Sequence, residues 1–156
     1  MPDIKTPAFF PILSLLPQRA LVYVKEAHAQ KFVQAFRDIF RGMWEQGLDV
    51  SKPELLAQVL SKQFGEAEVR DILDKANSAP YKQRLNDNTK EALDLGAFGC
   101  PWHVLRNAKG EEEPFFGSDR SVSLVSLGVS FLRVRYTPVM LAIRYSARRG
   151  RGRCLN

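Results

Sequence analysis

Cysteine and histidine are the side chains here with the widest chemical use, and each occurs only twice. Cys100 and Cys154 do not form a Cys-x-x-Cys pair, so a self-contained dithiol redox centre is excluded. A helix-surface position for His28 and a strand position for His103 account for both histidines without a metal ion. The sequence therefore predicts neither a disulfide framework nor a metal site.

Ser118 and Asp119 are a second candidate for chemistry, because they follow a break at Gly117 and carry a helix-start signature. The N–H groups and the dipole at a helix start favour a bound carboxylate. The alternative is a plain helix cap with an aspartate in the first turn, a common stabilising arrangement. Taken alone, the local pattern favours this alternative.

Helices are predicted from residue 18 to residue 95, the first two over 18–29 and 30–46, because apolar side chains recur there at helical spacing. Ser51 and Glu54 are predicted to form a capping box at the start of the third helix. The helices are expected to pack around six apolar side chains: Phe36, Phe40, Trp44, Leu56, Leu60 and Leu73.

Strand signals replace the helical pattern after residue 96. Residues 102–105 and 114–116 have strand composition and residues 107–110 have turn composition, so the sequence predicts a β-hairpin. Residues 1–17, ahead of the helices, contain four prolines, which interrupt helices and strand ladders. This N-terminal segment is predicted to be extended.

The net charge of +6 belongs to the C-terminal tail. Residues 121–156 contain seven arginines and no lysine, aspartate or glutamate. Removing those seven from the 23 basic residues leaves 16 basic against 17 acidic side chains in residues 1–120. A nearly neutral body is typical of a small-molecule enzyme domain. The tail is predicted to be a divergent basic segment that is disordered, or that forms a strand or a marginal helix.

Two motifs on either side of the hairpin carry a family resemblance. Residues 96–101 read Gly-Ala-Phe-Gly-Cys-Pro, and residues 116–120 read Phe-Gly-Ser-Asp-Arg. This ordered pair resembles the kappa-class glutathione S-transferases and the related 2-hydroxychromene-2-carboxylate isomerases, which belong to the DsbA-like branch of the thioredoxin superfamily. The resemblance implies an α/β thioredoxin-like fold, with an inserted helical domain over 18–95 and a partial thioredoxin-like subdomain over 96–120. In this chain the fold is expected to be mostly α with a C-terminal β-hairpin.

The resemblance also implies a glutathione site. Pro101 is cis in such folds, and the backbone N–H and C=O of Cys100 would pair with the cysteinyl backbone of glutathione. The Ser118 hydroxyl and N–H would hold the γ-glutamyl carboxylate, and the Asp119 carboxylate would pair with the glutamyl ammonium. Glutathione is then the co-substrate, and no metal is needed. The Cys100 thiol is a departure, because the family more often has an aliphatic residue there.

The family serine that stabilises the glutathione thiolate has no counterpart in residues 1–17, which lack its Ser-Pro-Tyr turn and the preceding strand. No catalytic residue is therefore assigned. The favoured hypothesis is a kappa-class transferase type that conjugates electrophiles or reduces peroxides, and whether this chain turns over substrate stays open. The alternatives are an isomerase-like or DsbA-like oxidoreductase homologue, a non-catalytic glutathione-binding remnant, and a nucleic-acid or membrane-surface binder through the tail.

No stretch provides the roughly 18 apolar residues of a membrane span, and the N-terminus lacks the order of a signal or transit peptide. An intracellular soluble protein is expected, without nucleic-acid or membrane partners. The resemblance implies a homodimer in the mitochondrion or peroxisome, with the cytoplasm as the alternative.

Overall fold

The computed structural model describes residues 6–11, 13–106, 112–117, 129–136 and 141–147. Helix predominates among its elements, and the chain divides into two compact units, residues 1–86 and 87–156. In chain order the elements are α1 (Leu15–Ala27), α2 (Phe32–Trp44), α3 (Pro53–Leu60), α4 (Glu66–Asn77), α5 (Ala79–Asp94), β1 (Trp102–Arg106), β2 (Glu112–Phe116), β3 (Val129–Tyr136) and β4 (Leu141–Ala147). None of the helices in the described ranges is long and apolar enough to cross a membrane.

Helix α1 begins at Leu15, earlier than the start predicted at residue 18. Pro17 is buried within its first turn, where a missing N–H costs little because those N–H groups have no acceptor inside the helix. The Gln18 N–H donates to the Ser14 carbonyl at 3.1 Å, and the Gln18 amide donates to the Ser14 hydroxyl at 2.6 Å. The prediction that residues 15–17 are extended is therefore wrong.

The predicted capping box at α3 is also wrong. Lys52 is the N-cap residue and makes no side-chain capping bond. The Ser51 hydroxyl and N–H donate instead to the Asp49 carboxylate, at 2.6 and 3.1 Å. The nearer carboxylate therefore takes the hydroxyl that a capping box would use. A contact of the capping type occurs at α4, where the Glu68 carboxylate accepts the Gly65 N–H at 2.9 Å.

The first unit is a helical bundle in which α1 packs against α2 and α4, and α3 packs against the same two helices. Burial of apolar side chains removes them from water and supplies the main stabilisation of such a bundle. The buried hydrophobic residues of this unit are Ala20, Val22, Val24, Phe32, Ala35, Ile39, Met43, Val50, Leu56, Val59, Leu60, Phe64, Val69, Ile72, Ala76 and Leu85.

The six side chains predicted for this core divide into three groups. Leu56 and Leu60 are buried, Phe36, Trp44 and Leu73 are half-buried, and Phe40 is 47% exposed. Helix α2 turns a different set of residues inward, so its apolar stripe is wider than the surface that α1 and α3 cover. The core prediction is confirmed for α3 and wrong for Phe40.

A polar cluster joins α1 to α4 and to the start of α5. The Tyr23 hydroxyl donates to the Asp71 carboxylate, and this hydrogen bond, with burial, raises the pKa of Tyr23 to about 12. The Glu26 carboxylate accepts the Tyr81 hydroxyl at 3.1 Å and the Arg84 Nε–H at 3.0 Å. Burial, followed by the bond to Glu26, raises the pKa of Tyr81.

The connection between α1 and α2 is held to α4 by Glu68. Lys31 Nζ lies 3.2 Å from the Glu68 carboxylate, and His28 Nδ1 lies 3.8 Å from it. The Gly65 N–H, followed by Lys31, lowers the pKa of Glu68. Lys31 also sits over the Phe64 ring, 4.7 Å from its centroid. His28 is thus half-buried just after α1, in a structural role.

In the second unit the described strands form a sheet in the order β2-β1-β4-β3. β1 and β2 run antiparallel, with Trp102 opposite Phe116. β1 and β4 are parallel, and β3 and β4 are antiparallel. The turn predicted between β1 and β2 lies outside the described residues. β3 and β4 fall in the tail, where a strand was one of the structures that the sequence left open.

A small apolar cluster links the end of α5 to the sheet. Ala92, Ala97, Trp102 and Val104 are buried together, and Leu95 packs against them. Alternation along β1 places Trp102 and Val104 on the same face of the sheet. This cluster anchors the loop between α5 and β1.

Candidate functional site

The loop after α5 is set by the way that helix ends. Gly96 has a φ of +84°, a backbone conformation that favours glycine. Its N–H donates to the Leu93 carbonyl at 2.8 Å, and the Ala97 N–H donates to the Ala92 carbonyl at 3.0 Å. These bonds satisfy two carbonyls that the last helical turn leaves open. The chain therefore leaves α5 in a defined direction and enters the loop that carries the candidate site.

The predicted bond geometry at Pro101 is confirmed. The Cys100–Pro101 peptide bond is cis, and β1 begins at the next residue, Trp102. The Cys100 side chain is exposed. The Gly117 N–H donates to the Pro101 carbonyl at 3.0 Å, which ties the end of β2 to the start of β1.

Three aromatic rings surround this junction. Phe98 is 73% exposed and Phe116 is 46% exposed, and their ring centroids are 4.8 Å apart at an interplanar angle of 39°. Trp102 is only 5% exposed and meets Phe98 edge to face at 5.4 Å. Both geometries lie in the range that aromatic pairs prefer. The buried Trp102 indole N–H has no hydrogen-bond acceptor.

Gly99 leaves room for one of these rings. A Cβ atom built at Gly99 would lie 2.7 Å from Cε2 of Phe116, closer than such carbons approach. A side chain at this position would displace the ring. The glycine in the Phe-Gly-Cys-Pro sequence therefore allows Phe116 to lie against the loop beside Cys100 and Pro101.

The structure brings two of the four predicted site residues together, Cys100 and Pro101. Ser118 and Asp119 lie outside the described residues, although Gly117, which precedes them, is hydrogen-bonded to Pro101. Their predicted contacts with glutathione stay predictions. Within the described ranges, no group of three or more His, Cys, Asp or Glu side chains is placed to hold a metal ion.

Sequence reasoning did not assign a role to Phe98 or Phe116. Both were noted only as letters of the two motifs, and Phe116 was also assigned to a short strand. Their exposure depends on the end of α5 and on the strand register, which a single sequence does not reveal. The signal that could have found them is the glycine at residue 99, because a glycine between two bulky residues often marks a close approach.

Comparison with known proteins agrees with the resemblance in the two motifs. The description "DSBA-like thioredoxin domain" matches residues 4–127, most of the chain. The chain belongs to the DsbA-like thioredoxin family. The match includes both the helical region and the Cys100–Pro101 junction, so this DsbA-like chain carries its candidate site within the matched part.

Kappa-class glutathione S-transferases are the curated relatives of this DsbA-like chain. Human glutathione S-transferase kappa 1 is 30% identical over 115 residues, which are 73% of this chain and 50% of the human protein. From Caenorhabditis elegans, glutathione S-transferase kappa 2 is 31% identical over 111 residues, and glutathione S-transferase kappa 1 is 28% identical over 102 residues. These matches cover 69% and 65% of the chain, and 48% and 45% of the two nematode proteins. The chain spans about half the length of the relatives it matches.

Proposed function

We propose that this chain is a kappa-class glutathione S-transferase-like protein that binds glutathione at the junction of Cys100 and Pro101. The observation that carries the proposal is the exposed Cys100, which lies directly before β1 inside the region shared with kappa-class relatives. An extended peptide can add to backbone at such a position through N–H and C=O pairing. The reaction class is conjugation of glutathione to electrophiles or reduction of peroxides.

The remaining contacts of the proposed site come from Ser118 and Asp119. The hydroxyl and N–H of Ser118 would hold the γ-glutamyl carboxylate, and the Asp119 carboxylate would pair with the glutamyl ammonium. Support comes from their place in the chain, immediately after Gly117, whose N–H bonds the Pro101 carbonyl at 3.0 Å. Residues 18–95 then act as a helical insertion and residues 96–120 as a partial thioredoxin-like subdomain.

The proposed chemistry needs a donor that stabilises the glutathione thiolate. The serine that serves this purpose in the family has no counterpart in residues 1–17. Backbone contacts favour binding of the peptide but do little to ionise its sulfur. We therefore expect weak glutathione binding by this chain, with conjugation of an aryl halide little above the uncatalysed rate.

Calorimetric titration with glutathione tests the proposal. The Asp119→Ala variant should bind about tenfold more weakly or worse, because a hydrogen bond to a charged group contributes about 1.5–3 kcal/mol. Asp94→Ala is the matched control, since Asp94 is an exposed carboxylate that pairs with Lys90 at 2.7 Å. Its affinity for glutathione should equal that of the wild type.

A second variant separates backbone from side-chain recognition. Cys100→Val should bind glutathione as the wild type does, because only the backbone of residue 100 takes part. Equal affinities for the wild type and Asp119→Ala, at measurable binding, would leave Asp119 as a helix-start residue only. Absence of glutathione binding by the wild type would refute the proposed function.

The homodimer and the mitochondrial or peroxisomal location form part of the same proposal. They rest on similarity to kappa-class relatives. Sedimentation of the purified chain and its distribution among cell fractions test them separately.

A further inference from the structure

We propose that Phe98 and Phe116 form a binding surface for a planar, electron-poor aromatic compound, which fits the electrophilic second substrate of the proposed transferase. The inference rests on the proposed function for its place in a reaction, but the binding itself does not require glutathione. The proposal assigns a substrate class to a surface defined by these two rings.

Exposure of the two rings is the first argument. Phe98 and Phe116 keep 73% and 46% of their surface open to water, although each belongs to a residue type that is usually buried. They are 4.8 Å apart and tilted by 39°, so together they form a continuous apolar surface. Leaving such a surface in water is unfavourable, and a ligand that covers it gains the corresponding free energy.

The size of the surface decides what kind of ligand fits. Phenylalanine side chains bury about 150–250 Å² each when fully covered. With their observed exposures the two rings together offer only on the order of 200 Å². A stable protein interface buries about 1,600 Å² in total. The surface is therefore too small for a macromolecular partner by itself and matches one face of a small aromatic molecule.

Electronic character narrows the ligand further. The face of a phenyl ring is the negative end of its quadrupole, and its edge is positive. A ring that bears nitro or similar withdrawing groups has a depleted face, so it stacks on phenyl faces with favourable electrostatics. Aromatic electrophiles that react with thiolates carry such groups, because withdrawing substituents stabilise the negative charge that the attacking sulfur brings.

The rings are held beside the place where a thiol would arrive. Gly99 lets Phe116 approach the loop, since a Cβ there would lie 2.7 Å from its ring. Trp102 supports Phe98 from beneath at 5.4 Å, and the bond from Gly117 to Pro101 fixes the end of β2. A compound stacked on the two rings would thus lie next to Cys100, where the cysteinyl group of glutathione is proposed to pair.

The test is a titration with 1,3-dinitrobenzene, which has withdrawing groups but no leaving group. Nitroaromatics quench indole fluorescence at short range, so Trp102 reports binding in a Trp44→Phe background. We expect saturable quenching, with affinity reduced about tenfold in Phe98→Ala and in Phe116→Ala, because aromatic pairs add about 0.5–1.5 kcal/mol beyond area burial. Phe98→Leu, which keeps apolar volume without the ring, should also lose affinity.

Phe40→Ala is the matched control, because Phe40 on α2 is 47% exposed and belongs to the other unit. It should leave the affinity unchanged, and thermal unfolding should show that each variant is folded. Affinity equal to that of the starting protein in Phe98→Ala, Phe98→Leu and Phe116→Ala would overturn the inference, as would an equal loss in Phe40→Ala. Glutathione binding without these losses would sink this inference and keep the proposed function. Losses without glutathione binding would do the reverse.

Discussion

Gly99 and Phe116 lie so close that a Cβ at residue 99 would reach to 2.7 Å from the phenyl ring. The contact joins the loop after α5 to the end of β2, across the strand that begins at Trp102. It relates a glycine in one sequence motif to a phenylalanine in the other. The spacing of these motifs thus serves a packing arrangement as well as a site.

The first prediction follows from this contact. Gly99→Ala should displace the Phe116 ring and weaken binding of 1,3-dinitrobenzene several-fold. The free energy of unfolding should change by less than about 1 kcal/mol, since an exposed ring can move more easily than a packed core. Fluorescence titration and urea denaturation measure the two quantities. A stability loss with unaltered ligand affinity would show that the contact serves packing alone.

A second glycine tests close packing between α2 and α3. A Cβ at Gly42 would lie 2.9 Å from Cγ2 of Val59, which is fully buried and has no room to move. Gly42→Ala gains helix propensity of up to about 1 kcal/mol, but overpacking costs about 1–3 kcal/mol. Net destabilisation of about 1 kcal/mol is expected in urea denaturation. A more stable variant would mean that the two helices separate easily.

Tyr23 supplies a pH-dependent prediction. The bond to Asp71 favours the protonated hydroxyl and raises the pKa of Tyr23 from 10.0 to about 12 in the folded protein. Its stabilising contribution is therefore complete below pH 10 and is lost as the pH rises towards 12. Tyr23→Phe should cost about 1.5 kcal/mol at neutral pH. That difference should shrink in denaturation above pH 10, and a constant difference would contradict the assignment.

The buried carboxylate of Asp38 provides a further test. It accepts hydrogen bonds from the side-chain amides of Gln34 at 2.9 Å and Gln63 at 3.0 Å, which tie α2 to the segment after α3. Asp38→Ala should destabilise the protein by about 2 kcal/mol, because two donors lose a charged acceptor. Asp94→Ala, at an exposed pair, should cost at most about 0.5 kcal/mol. Similar costs for the two variants would argue against the clamp.

The sequence predicted the helical region well because periodic apolar residues determine which segments form helices. It failed where tertiary partners decide. Phe40 fits the apolar stripe of α2, but no neighbouring helix covers it, and it stays exposed. Ser51 fits the capping pattern, but the Asp49 carboxylate is nearer and takes its hydroxyl. Such competition among neighbours is invisible in a pattern of residue types.

For the site, the resemblance in two motifs supplied what local patterns could not. The cis bond before Pro101 agrees with it, whereas the pattern by itself allows an ordinary trans proline at the start of a strand. Exposure of Phe98 and Phe116 was not predicted, because it depends on how Gly96 directs the chain out of α5. The roles of Ser118 and Asp119 stay predictions.

The most direct test of the central claim is where glutathione binds. Amide chemical shifts of the isotopically labelled protein should be followed during a titration with glutathione. We predict that the shifts of Gly99, Cys100 and Trp102 change in a saturable way, and that the amides of α2 do not respond. Shifts confined to the helical unit, or no response at millimolar glutathione, would contradict the claim that this chain binds glutathione at the Cys100–Pro101 junction.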